Sequence, residues 1–379
     1  MANVNLLRII KVDGSIMKKL AVKIYVFLVA VLCMAGTRNV YAAASQGVKQ
    51  VDLVIFSGQS NMAGGGGDAL QAPAVPKDHG YEFRCGKVAT GMYEIVEPFG
   101  IYQDGYLSDP DGIRKGSLVS DFANAYYKNT GVPILALSAT RSGSSINYWL
   151  SSAVKAELME KYDLVNSWCE ANFITIRHRY VVWLQGETDG MAGMSTEEYE
   201  KKLVEVFMPL INKGLDQVFV IPVGHVAGLP AAYETVAAAQ MDLCANSPYF
   251  TMATDTLRSL PDMYLPDTVH YNQSALNLVG KNSGVTAAVF SKALDMAARY
   301  GFNATSGAAA SEATAASGTA TSGAAATPTQ EATPSQTIEA VTTPTPTPVT
   351  EAIATPTPTA EAVTTTPTPT PEAATTTTP

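Results

Sequence analysis

The sequence predicts an α/β fold, a three-layer α/β/α sandwich around a mostly parallel, five-stranded sheet. Five short apolar runs carry this reading: VDLVIF from Val51, VPILAL from Val132, YVVWL from Tyr180, VFVIPV from Val218 and YFTMAT from Tyr249. They lack the in-out alternation of half-exposed strands, as expected of strands covered on both faces. Segments of helical period lie between several of them, and strands alternating with helices give a parallel sheet with right-handed crossovers.

Taken in order, VDLVIF leaves through Ser57 into GQSNM, where Gly58 permits a tight turn out of the strand. In GSLVSDFANAYYKNTG, Leu118, Phe122 and Tyr126 fall four apart and Gly131 stops the helical pattern. The second run exits into SATRSGSSINYW and the third into QGETDG. STEEYEKKLVEVFMPLINKG begins with a capping-box pair, Ser195 and Glu198, and buries a stripe of Tyr199, Leu203, Phe207 and Leu210. The fourth run exits into GHVAG, and a last helix from about Asn272 to Tyr300 follows LPDTVHYN. Open parallel sheets bind ligands beyond the carboxyl ends of their strands, so these exit segments are where chemistry is expected.

The two ends of the chain differ from this domain, which spans residues 45–302. Residues 1–44 read as an export signal: Lys18, Lys19 and Lys23 precede the apolar IYVFLVAVLCMAG, and small residues follow in VYAAAS. Met17 opens MKKL and makes a better start than Met1. The apolar run is short for an uncleaved membrane anchor, and bulky Leu32 before Cys33 speaks against a lipid anchor. Export places the protein outside a bacterial cell, secreted or at the surface, with no integral membrane domain once the signal is removed. Residues 303–379 are Ala, Thr, Ser and Gly followed by Thr-Pro repeats such as TPTPTPVTEA, a low-complexity tail that cannot bury a core. It reads as an extended spacer, leading either to further sequence or itself to the cell wall.

The formal net charge is −9, and the acidic tail and basic signal region largely offset each other, so the domain itself is acidic. Nucleic acid is thereby excluded as a partner, because neutralising phosphates requires clustered Lys and Arg. Signal removal leaves Cys85, Cys169 and Cys244, an odd number without metal-like spacing; free thiols are expected, with one bridge plus one thiol as the alternative. His79, His178, His225 and His270 also lack ligand-like spacing, so no metal and no cofactor is expected.

A serine hydroxyl is a poor nucleophile without a base in hydrogen-bond reach, and the base needs a third group to fix its tautomer. Ser60 stands at the end of the first strand, and in DTVH the pair Asp267 and His270, three apart, brings carboxylate and imidazole together if the segment makes one helical turn. Such spacing alone is common and is more often a helix cap beside a surface histidine.

The order GQSNM, SGSSINYW, WLQGETDG, DTVHYN resembles the sialate O-acetylesterase-like branch of the SGNH, or GDSL-type, hydrolases, which includes acetylxylan esterases and has a flavodoxin-like sheet. The resemblance covers about residues 50–300. It implies Ser60 as nucleophile, His270 as general base and then acid, and Asp267 as its orienting partner. It also implies an oxyanion hole formed by the N–H groups of Ser60 and Gly143 and by the Gln185 side-chain amide. Where the family carries two glycines in the second block, this chain has Ser142 and Gly143.

Asn61, Glu187, Arg141 and His225 are supporting or substrate-binding candidates, with Tyr148 and Trp149 beside them. Asn61 is expected to fix the serine turn through local backbone, and Glu187 to hold neighbouring loops or Arg141, or else to cap the segment it begins. His225 either faces substrate or packs in the core, and Tyr148 and Trp149 either stack on a sugar or pack likewise. The resulting expectation is a serine esterase that removes O-acetyl groups from carbohydrate, either a plant polysaccharide such as xylan or O-acetylated sialic acid. The alternatives are a noncatalytic glycan-binding or wall-associated protein, against which the intact trio weighs, and a general short-chain esterase or lipase, for which no long apolar lid segment is found.

Overall fold

The computed structural model describes residues 47–301; the expected signal region, 1–44, and the tail, 303–379, lie outside the described residues. Seven strands form one sheet: β1 (Gln50–Gly58), β2 (Gly80–Arg84), β3 (Gly91–Glu94), β4 (Ile134–Thr140), β5 (Thr175–Leu184), β6 (Gln217–Val220) and β7 (Phe250–Met252). Their order is β3-β2-β4-β1-β5-β6-β7, parallel throughout except for the β2–β3 hairpin. The five predicted runs are the contiguous block β4-β1-β5-β6-β7, a doubly wound order whose direction reverses between β1 and β5. Ligand crevices form at such a reversal, and the segments leaving it are GQSNM and QGETDG.

The sheet has two more strands than the sequence predicts. The added hairpin lies on the outer edge of β4, and its first strand, GYEFR, carries charges that break the apolar signal. Glu82 is nonetheless 1 % exposed, with Oε2 2.6 Å from Arg84 Nε and Oε1 accepting the Gly100 N–H at 3.1 Å. Burial pushes its carboxyl up, and Arg84 pulls the other way. A charge neutralised inside its own strand cannot be told from a solvated one in a linear sequence.

Nine helices among the described residues cover the sheet: α1 (Ser60–Ala63), α2 (Val119–Thr130), α3 (Ile146–Leu150), α4 (Ser152–Ala171), α5 (Glu187–Met191), α6 (Thr196–Ile211), α7 (Glu234–Asn246), α8 (Thr256–Ser259) and α9 (Gln273–Tyr300). Strand β1 shows why both faces need cover. Its Val51, Leu53 and Ile55 point into a core shared with α3, α4, α6 and α7, while Val54 and Phe56 point into a second core shared with α2 and α9. None of these is long and apolar enough to cross a membrane.

The helical patterns are realised with one difference. Helix α2 stops at Gly131, whose φ of 71° is the left-handed cap conformation, and α9 begins after Asn272, whose side chain accepts the Ala275 N–H. In α6 the stripe Tyr199, Leu203, Phe207 and Leu210 is fully buried, and the Ser195 hydroxyl accepts the Glu198 N–H at 3.2 Å. The reciprocal half of the capping box is absent, because the Glu198 carboxylate pairs with Lys202 one turn on. Trp149 is 1 % exposed and packs edge-on against Trp183 at 4.8 Å, so it is a core residue and not a sugar platform. Cys85, Cys169 and Cys244 are free thiols.

Replacing Phe207 by Ala should cost about 3–5 kcal/mol, the usual loss for emptying a buried aromatic site. Ser195→Ala should cost about 1 kcal/mol through loss of the helix cap. Urea unfolding checks both, with the midpoint falling far more for Phe207→Ala.

Candidate active site

The turn after β1 is fixed by close approach. Gly58 has φ 150°, and a Cβ there would sit 1.9 Å from the Leu184 carbonyl oxygen at the end of β5, so any side chain would drive the two central strands apart. The same carbonyl accepts the Gln59 N–H at 3.0 Å. The Gln59 side chain then reaches the third block, its Oε1 lying 3.3 Å from both Gly186 N and Gln185 Nε2. Ser60 follows as the first residue of α1, 9 % exposed.

Asp267 and His270 do meet. Their side chains lie 2.7 Å apart, Oδ2 to Nδ1, and the other carboxylate oxygen accepts the backbone N–H of His270 at 2.7 Å and of Val269 at 3.2 Å. The segment is a turn and not the single helical turn expected, because Thr268 adopts φ 75°, a left-handed conformation strained for a β-branched residue. Burial works to raise the Asp267 carboxyl, yet the hydrogen bonds from His270 and Val269 outweigh it and hold the group below its ordinary value. With Nδ1 engaged, Nε2 is the ring nitrogen left for a substrate or nucleophile. That edge of the ring lies beside the serine turn: an ideal Cβ position on Gly65 lies 3.4 Å from the Ser60 carbonyl oxygen, 3.5 Å from His270 Cδ2 and 3.6 Å from Nε2.

Asn61 does not bond local backbone, as its sequence position had implied, but bridges to the histidine segment. Its Nδ2 donates to the Val269 carbonyl at 3.1 Å and to Glu187 Oε1 at 2.9 Å, while its Oδ1 accepts the Tyr271 N–H at 3.0 Å. Glu187 thus holds Asn61 and not Arg141, whose guanidinium donates to the Ser108 carbonyl at 3.1 Å. Burial pushes the Glu187 carboxyl up, against lowering by the Asn61 hydrogen bond and by His270, and its Oε2 has no partner among the described residues.

In the second block the backbone donors sort themselves. The Ser142 N–H donates to Asp109 Oδ1 at 2.6 Å and the Ser144 N–H to the Arg141 carbonyl at 3.3 Å. Gly143 between them is exposed, with φ 69°, and no partner for its N–H is found among the described residues. Asp109 is itself held by Arg114 at 3.0 Å and by the Thr140 hydroxyl at 2.6 Å, all of them buried.

Gln185 is where the expectation needs correction. Its side chain is fully buried, and its Nε2 lies 2.6 Å from Asp189 Oδ2 and 2.8 Å from the Ser144 carbonyl, which occupies both N–H groups. The Tyr199 hydroxyl lies 2.9 Å from its Oε1. Gln185 therefore ties the third block to the second and offers no free donor to an oxyanion. Asp189, its carboxyl raised by burial, also accepts the Ile146 N–H at the start of α3.

The His225 side chain is 11 % exposed and its ring stands edge-on to Tyr271. Its Nε2 is 2.9 Å from Asp262 Oδ1, and the ring borders a cavity beyond β6. Sequence reasoning missed Asp109, Asp262 and Gln59. For Gln59 the adjacent Ser60 was a pointer, whereas the acidic pair sits in turn-rich segments, SDPDG and LPDMY, where aspartate is ordinary.

The carbohydrate esterase, sialic acid-specific acetylesterase family model matches residues 50–287, so the chain belongs to that family of carbohydrate esterases. No curated protein matches the chain in sequence. Among solved structures it is similar to a protein of Arabidopsis thaliana at 18 % identity and TM-score 0.48, covering 64 % of this chain and 98 % of that one. It is also similar to the acetylxylan esterase Axe2 of Geobacillus stearothermophilus (10 % identity, TM-score 0.36, 62 % and 93 % covered). A carbohydrate acetylesterase of Xanthomonas citri matches at 15 % identity and TM-score 0.39, with 63 % and 55 % covered.

Because the Glu187 carboxyl is raised in the folded chain, the folded state holds its proton longer than the unfolded state does as pH rises, and stability falls across that interval. Glu187→Gln keeps the acceptor for Asn61 and removes the titration. Its urea midpoint relative to wild type should therefore increase from pH 4 to pH 7, and a constant difference would mean the carboxylate ionises in place without cost.

Proposed function

We propose that the chain is a secreted serine esterase that removes O-acetyl groups from carbohydrate through an acetyl-serine intermediate. The observation that carries this reading is the 2.7 Å Asp267–His270 contact, held against the Ser60 turn by Asn61. His270 Nε2 takes the proton from the Ser60 hydroxyl as its oxygen attacks the ester carbonyl carbon. Asp267 stabilises the imidazolium that forms and keeps the ring in one tautomer. The negative charge on the carbonyl oxygen is met by two backbone donors, the N–H groups of Ser60 and Gly143. Each such donor typically contributes about two to three powers of ten in turnover.

Collapse of the first intermediate breaks the ester bond, and His270 returns its proton to the departing sugar oxygen. Water then enters, gives a proton to His270 and attacks the acetyl carbon. Collapse of that second intermediate releases acetate and restores the serine hydroxyl. Every proton passes through one imidazole, and the chain's own residues suffice for both halves. Export through the region 1–44 puts the enzyme where acetylated extracellular polysaccharide is found, and the 303–379 tail serves as a spacer outside the catalytic domain.

Acetate release from acetylated xylan, acetylated mannan and O-acetyl sialic acid tests the reading. Ser60→Ala should lower the rate by about four powers of ten or more while leaving the urea midpoint nearly unchanged. Equal rates in variant and wild type would remove the serine mechanism. A chain ending at Phe302 should still unfold in one cooperative transition and keep the full rate, since the tail lacks core-forming residues; a broad, non-cooperative transition would move the domain boundary.

A further inference from the structure

A cavity of about 230 Å³ opens beyond the carboxyl end of β6, lined by Gly224, His225, Gly228, Pro230, Arg258 and Asp262. None of these groups takes part in the reaction proposed above, yet their loop is built against the histidine segment. The Ala227 N–H donates to the Thr268 carbonyl at 2.9 Å, and the His225 N–H to the Tyr271 hydroxyl at 3.2 Å. A Cβ on Gly224 would lie 1.8 Å from that same hydroxyl, so the wall of the cavity and the residue after His270 are in direct contact. The cavity therefore sits on the catalytic rim, one loop away from the imidazole.

Its size and chemistry limit what fits. Ligand pockets typically run from about 300 Å³ upward, so this one has room for a single ring and not for a chain. Asp262 accepts from His225 Nε2 at 2.9 Å and from the Gly228 N–H at 3.0 Å, one bond to each carboxylate oxygen. Each oxygen retains a lone pair, and the side chain is 59 % exposed. Arg258 engages Glu234 through Nη2, at 2.9 and 3.2 Å, and its other guanidinium donors have no partner among the described residues. Acceptors and donors lining one ring-sized space match the hydroxyls of a sugar. The guanidinium is already paired with Glu234, and the lining adds the Asp262 carboxylate, which disfavours a ligand that carries its own carboxylate.

From this we infer that the cavity is a subsite for a neutral sugar ring adjacent in the glycan to the acetylated residue. The inference rests on the esterase reading and deepens it, committing the enzyme to neutral polysaccharide over O-acetylated sialic acid. The subsite holds the neighbouring ring through Asp262 and Arg258 and so supplies binding that a small ester cannot use.

The test compares kcat/KM for acetylated xylotetraose with that for 4-nitrophenyl acetate, in wild type, Asp262→Ala and Arg258→Ala, with thermal unfolding to show that each variant folds. The oligosaccharide-to-small-ester ratio should fall about tenfold in each variant, through a higher KM on the oligosaccharide, the signature of lost ground-state binding. A ratio within about twofold of wild type in both variants would overturn the subsite, as would a wild-type preference for O-acetyl sialic acid. Wild type active on 4-nitrophenyl acetate but on no acetylated oligosaccharide overturns the subsite alone. Wild type inactive on every ester overturns the esterase reading, and the subsite with it.

Discussion

The Asn61 carboxamide ties the backbone on both sides of His270 to the turn that carries Ser60, across more than two hundred residues of sequence. Its Nδ2 reaches the Val269 carbonyl, and its Oδ1 receives the Tyr271 N–H, so the imidazole hangs from a segment clamped fore and aft. The remaining Nδ2 hydrogen goes to Glu187 at the exit of β5. A typical hydrogen bond contributes about 0.5–1.5 kcal/mol net. The larger consequence of losing these would be a buried carboxyl, a buried N–H and a part-buried carbonyl without partners. In the proposed reaction position matters more than stability, because proton transfer between hydroxyl and imidazole depends on their separation and angle.

The neighbouring amides extend the same bracing sideways. Gln59 reaches Gly186, Gln185 reaches Asp189 and the Ser144 carbonyl, and Asp189 caps α3 at Ile146. The exits of β1, β4 and β5 are thus cross-linked by buried polar groups at the reversal of the sheet. Gly143 stands at the margin of this lattice, with Asp109 and Arg141 occupying the N–H groups before and after it. Rigid neighbours leave one amide of the three available, which is what an oxyanion donor requires.

Much of this was legible in the sequence, for reasons that differ by element. Apolar runs buried on both faces announce themselves, so β1, β4, β5, β6 and β7 were readable from composition alone. Helices α2, α6 and α9 were readable from period and caps. The β2–β3 hairpin was not, because Glu82 and Arg84 neutralise each other inside it and look like surface charges on paper. The Asp267–His270 pair was legible by spacing, but the turn that joins them was not, since nothing in DTVH announces a left-handed threonine. Gln185 illustrates a deeper limit. A side-chain amide has donors and an acceptor whose partners come from Ser144, Asp189 and Tyr199, and no local pattern says which of these reaches it first.

The central claim, that Asn61 acts by positioning His270, is tested most directly by a double-mutant cycle on the acetyl-ester hydrolysis rate. If Asn61 works through the imidazole, Asn61→Ala slows the wild-type enzyme markedly and slows His270→Ala no further. Equal fold-losses in the two backgrounds would mean that the residues act independently, and would contradict the account.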